Sequence, residues 1–136
     1  MSPDSLFEDA DLIHSYSRKQ AIEDGVLVDL MQAETEALVK EAGFRYPIAM
    51  TSAAYFETVG PIDGELPSGQ DRTGRLWDVL MVLKAAIRNT KGETDRILFE
   101  VRVWNGKKHD IVRLWSLVGP GDTMDPVLTI MCEDED

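Results

Sequence analysis

Between Thr73 and Thr90 the chain reads TGRLWDVLMVLKAAIRNT, and this stretch restricts the fold more than any other. Leu76, Val79, Leu80, Leu83 and Ile87 recur at three- and four-residue steps, which places them on one face of a helix. Trp77, Met81, Lys84 and Arg88 form a second stripe beside them. Charge is confined to a narrow strip, as expected of a helix covered on more than one side. At 1.5 Å per residue such a helix runs about 25 Å, enough to cross a small domain. Thr73 offers a hydroxyl as N-cap, and Asn89 to Gly92 supply a stop. One core assembled on this rod is the expectation.

The flanking segments supply its partners. Ser17 and Gln20 have the spacing of a capping box, and the short helix they start should end at Gly25. Val26 to Leu30, β-branched and apolar, predicts a strand. A helix is expected over 31–42, with Ala33, Ala37, Leu38 and Ala42 turned inward. Pro47 keeps Arg45 and Tyr46 extended. Thr51 or Ser52 should cap a helix over 53–59 with Tyr55, Phe56 and Val59 on its apolar side. Residues 60–72 read as a long, turn-rich loop.

Beyond the central helix, Ile97, Phe99, Val101 and Val103 alternate with Leu98, Glu100, Arg102 and Trp104, the period of a strand. Asn105-Gly106 signals a hairpin, 111–118 the returning strand, and 127–132 a last strand after the Gly119 to Asp122 turn. The fold expected is a single α+β domain over 17–132. Three or four helices would pack on one face of a small antiparallel sheet, a C-terminal three-strand meander that the strand at 26–30 would extend. Residues 1–16, with Leu6, Phe7, Leu12 and Ile13 among acids, read as a loosely ordered arm, and 133–136 as an acidic tail.

The net charge is −11 and uneven: residues 1–72 hold 14 acids and 5 bases, residues 73–136 hold 11 and 9. A surface this acidic repels phosphate backbones, which disfavours direct nucleic-acid binding and favours a protein partner with a basic surface. No apolar run approaches the roughly 18 residues that span a bilayer. The acidic start lacks a signal peptide's pattern, so a cytoplasmic protein is expected. A single cysteine, Cys132, cannot form an internal disulfide, which agrees with a reducing compartment.

Catalytic spacing is missing. His14 and His109 stand in no metal motif, the glycines at 60, 64, 69 and 74 match no phosphate loop, and no nucleophile elbow is present. Neither an enzyme, a metal nor a cofactor is expected. Asp63 and Glu65 begin like a calcium loop, but the remaining ligands are lacking. Arg18, Arg45, Tyr46 and Arg75 would form an anion site if their elements converged. Asp11 belongs to an early acidic cluster, and Glu34, Glu36 and Glu41 line one helix. Gathered on one surface, these acids would fit a basic groove made for phosphates.

Several stretches carry a resemblance when taken together: Leu6 to Asp11, Tyr16 to Arg18, Ala21 to Asp29, Ala42 to Pro47, Gly74 to Leu80, Gly119 to Asp122 and Pro126 to Met131. The chain resembles a family of small uncharacterised proteins met on bacterial plasmids and other mobile genetic elements. The resemblance implies a setting and no activity. By analogy with other small acidic proteins of that setting, the expected function is non-enzymatic. The protein would block a nucleic-acid-handling host defence complex (CRISPR or restriction) by docking on its basic surface. The alternative is a small enzyme or ligand-binding domain with its site near the 60–72 loop.

Overall fold

The structure, a computed structural model, describes residues 17–61, 64–92 and 94–135. The arm expected over 1–16, with Asp11, lies outside these residues, as does Asp63. In chain order the elements are α1 (Arg18–Glu23), β1 (Leu27–Asp29), α2 (Ala33–Glu41), β2 (Ile48–Thr51), α3 (Ser52–Thr58), α4 (Arg72–Asn89), β3 (Arg96–Trp104), β4 (His109–Pro120) and β5 (Pro126–Cys132). A 3-10 turn, Glu133–Glu135, follows.

The α+β class and the C-terminal meander are as expected, and the strand near residues 26–30 joins the sheet. It joins through β2, an element the sequence did not signal. The strand order is β1-β2-β5-β4-β3, with β2 antiparallel to β1 but parallel to β5, so the sheet is mixed. All four residues of β2 are buried. A strand covered on both faces shows no polar alternation, and alanine is a poor strand former, so nothing marked it.

Period-two alternation divides the sheet into two faces. Phe99, Val101 and Val103 of β3 are buried, and their cross-strand partners carry the same face to Val112 and Leu114, then to Ile130 and Cys132. Ile48 and Met50 of β2 continue it through Leu128 and Ile130. Against this inner face lies α4, with Leu76, Val79, Leu80 and Leu83 fully or almost fully buried. Trp77 and Met81 are half-buried against the same core. Ile87, expected in the buried stripe, is 40% exposed, because the helix has run past the core by its last turn.

Two inward faces differ from expectation. On α2, Val39 and Ala42 are buried while Ala33 and Ala37 are exposed. The larger side chain gains more by burial and sets the rotation of the helix. On α3, Ala54, Thr58 and Val59 point inward and Phe56 is 57% exposed. Thr58 is accommodated because its hydroxyl donates to the Ala54 carbonyl at 2.7 Å.

The capping signals mostly hold. Ser17 and Gln20 form the reciprocal box at α1, and Thr51 caps α3. At α4 the cap is Asp71, not Thr73: its carboxylate accepts from the Gly74 N–H at 2.6 Å. A carboxylate two residues earlier both satisfies the amide and faces the positive end of the helix dipole. Asp71→Ala should therefore cost about 1 kcal/mol in urea unfolding, whereas Thr73→Ala should cost a few tenths.

Candidate functional site

The side chains that leave the core on the far side of the sheet form the outer face. Arg96, Leu98, Glu100 and Arg102 point there from β3, Ile111, Arg113, Trp115 and Leu117 from β4, and Val127, Thr129 and Met131 from β5. Arg96 stacks over the Trp115 ring, 4.8 Å from its centroid, a diagonal pair across two strands. The directly opposed pair Glu100 and Arg113 closes a 2.8 Å ion pair. Leu98 and Ile111 remain 43% and 61% exposed on it. Basic groups, tryptophan and exposed aliphatics thus share one rigid surface. The hairpin that carries it turns at Asn105-Gly106, where Gly106 adopts a φ of 101°. Asn105 Oδ1 accepts from the Lys107 and Lys108 amides.

Toward β5 this face deepens into a groove of about 830 Å³, floored by Leu117, Val127, Thr129 and Met131. Arg18 stands in it. Its guanidinium donates to Thr129 Oγ1 at 2.8 Å and to the Leu128 carbonyl at 3.0 Å. Burial pulls its pKa below the ordinary arginine value, while Asp29 and Asp122 act in the opposite direction. Asp122 also accepts from the Arg18 and Lys19 amides, fastening the start of α1 to the β4–β5 turn.

The other members of the expected anion site lie elsewhere. Arg75 donates to the Trp104 carbonyl and to Gln70 Oε1, and burial lowers its pKa. Trp104 and Arg96 end β3 eight residues apart, so Arg75 and Arg18 sit at opposite ends of the sheet, about 26 Å apart along the strand direction. Arg45 and Tyr46 are exposed and border a 320 Å³ pocket with Asp95 and Ile87 on the helix-bearing side. The structure does not bring Arg18, Arg45, Tyr46 and Arg75 together. Two of them hold backbone carbonyls, as does Arg72, whose guanidinium ties Pro61 and Gly64 and so braces the 60–71 loop.

The acidic candidates divide similarly. Glu34 and Glu36 occupy the first turn of α2, where carboxylates face the positive end of the dipole, and Glu36 pairs with Lys40 at 3.7 Å. Glu34 and Glu41 are exposed. Glu65 is exposed in the loop. In the tail, Glu135 accepts from the Thr51 hydroxyl at 2.6 Å and from the Cys132 amide at 2.7 Å, so it closes the end of the sheet. Cys132 itself is buried, and its thiol is pushed up to about 12 by burial first and then by Glu135, Asp134 and Glu57. Beside it, Phe56, Gly60 and Pro61 line a cleft of about 730 Å³ at the start of the loop. Among the described residues no three His, Cys, Asp or Glu side chains are placed to hold a metal ion. None of the described helices is long and apolar enough to cross a membrane.

This basic surface is hard to read from sequence, because Arg96, Arg102 and Arg113 are scattered in a chain of net −11. Residues 72–113 hold ten of the 14 Lys and Arg residues against five acids, +5 there and −16 elsewhere, but five of the ten lie on or just after α4 and not on this face. The signal was Arg96, Arg102 and Arg113 at strand positions that alternate with core residues. No curated protein and no solved structure matches the chain. A family model matches residues 3–136, and the chain belongs to that family, one of unknown function (DUF6573).

Proposed function

We propose that this protein is a non-enzymatic interaction protein that docks its acidic surface on a basic protein. The expected setting is a mobile genetic element, and the partner a nucleic-acid-handling defence complex. The separation of charge supports this reading: the chain outside residues 72–113 carries −16, and the exposed acids of α2 belong to it. Such a surface attracts a groove built for phosphates over long range and competes with nucleic acid for it. Helix α2 is tied to the end of β1 by the Thr35 hydroxyl, which donates to the Leu30 carbonyl at 2.6 Å, and its acids take no part in that bond, so they can be reversed without touching buried residues.

The test uses purified DNA-binding nucleases of restriction and CRISPR systems, with affinity read at two salt concentrations. Binding to at least one nuclease is expected, weakened by salt. The combined Glu34→Lys, Glu36→Lys and Glu41→Lys protein should bind at least about tenfold more weakly, chiefly through a slower on-rate. Binding that ignores both salt and the triple reversal, or none at all, overturns the reading.

A further inference from the structure

We propose that the pocket beside the last turn of α4 binds a small uncharged aromatic molecule carrying one hydrogen-bonding group, a phenol or an indole in class. The pocket measures about 320 Å³, room for about ten atoms at roughly the 30 Å³ that a water molecule takes in the liquid. Three elements wall it. Phe44 and Tyr46 come from the α2–β2 connection, Ile87 from α4, and Ile97, Val118 and Leu128 from the inner face of the sheet. The Leu128 N–H donates to the Pro47 carbonyl at 2.9 Å, which fastens the connection to β5. Tyr46 and Ile87 stay 42% and 40% exposed, so they border the opening.

Ser116 sets the chemistry of the site. It lies on that inner face between Leu114 and Val118, with Ile97 and Ile130 opposite it on the neighbouring strands, and is only 2% exposed. It lines the pocket, and its hydroxyl has no hydrogen-bond partner among the described residues. A buried hydroxyl left unpaired costs stability, and a ligand group that pairs with it recovers that cost. The neighbours of the hydroxyl on this face are apolar, so an apolar body with one polar group is what fits. Phe44 and Tyr46 add ring faces against which a flat body stacks. Arg45 and Asp95, one of each sign, also border the pocket, so together they select no net charge. The inference does not rest on the basic partner proposed for α2.

Amide NMR on the full chain tests it, with para-cresol as the probe and toluene as its match without the hydroxyl. para-Cresol should shift the amides of 43–46, 94–97 and 116–118, with a Kd of about 1 mM or tighter. Toluene should bind at least about tenfold more weakly, because it leaves the Ser116 hydroxyl unpaired. Ser116→Ala removes one oxygen and should weaken para-cresol about tenfold while leaving toluene unchanged or tighter. Tyr46→Ala, an exposed change, should weaken both probes several-fold. Absence of shifts at these amides up to the solubility limit of para-cresol overturns the proposal, as do shifts centred elsewhere. Equal affinity for the two probes in the native chain also overturns it, a comparison that holds even if Ser116→Ala does not fold. So does a folded Ser116→Ala protein that keeps the native affinity for para-cresol.

Discussion

Leu83→Ala should lower the unfolding free energy by about 3 kcal/mol, more than any single surface change. Leu83 is fully buried on α4, within the core that the helix shares with the inner face of the sheet. Truncation removes three carbons from water-free surroundings and leaves a cavity whose walls belong to a helix and a sheet, neither of which can close it alone. In a domain of this size the loss corresponds to a fall in Tm of roughly 10 °C. Ile87→Ala provides the control. It lies one turn further along the same stripe but is 40% exposed, and its loss should stay below about 1 kcal/mol. Urea titration of both proteins decides the matter. Equal losses would mean that α4 is not seated as described.

The Cys132 thiol should be nearly inert in the folded protein. With its pKa pushed from 9.0 to about 12, the thiolate population at pH 8 falls about a thousandfold below that of an unperturbed cysteine. Iodoacetamide labelling at pH 8 should slow by roughly two to three orders of magnitude relative to the urea-unfolded chain, through the smaller thiolate population. The sign for stability follows from the same shift. The folded pKa lies above the unfolded one, so the contribution is fully present below pH 9 and is lost as the pH rises from there toward 12. Alkaline titration should therefore destabilise the wild type more than Cys132→Ala. Rapid native labelling at pH 8 would show that the end of β5 opens readily.

How much of this was legible beforehand depended on whether a residue's role is set by its neighbours in sequence or by those in space. The rod expected over 73–90 and found at Arg72–Asn89, the Ser17–Gln20 box and the alternation of β3 are local patterns, and apart from the cap of the rod each lies where the sequence placed it. Asn105-Gly106 likewise fixed the hairpin. β2 escaped because being buried on both faces erases the alternation by which strands are read. The proposed arginine site failed for a different reason. Arg18 and Arg75 each satisfy backbone carbonyls of a strand over a hundred and about thirty residues away respectively, which no spacing rule anticipates. The outer face was half visible: the outward residues of β3 were identified, but their union with Arg113 and Trp115 requires the register of two strands.

The place of β5 has a consequence for biogenesis. It is the last strand of the five to leave the ribosome, yet it stands at the middle of the sheet, bonded to β2 on one side and β4 on the other. Until residues 126–132 emerge, β1–β2 and β3–β4 are separate ribbons with no hydrogen bonds between them. Completion is thus a late, all-at-once event, and a nascent chain halted before Pro126 exposes the apolar sides of both ribbons to whatever chaperone waits at the exit tunnel.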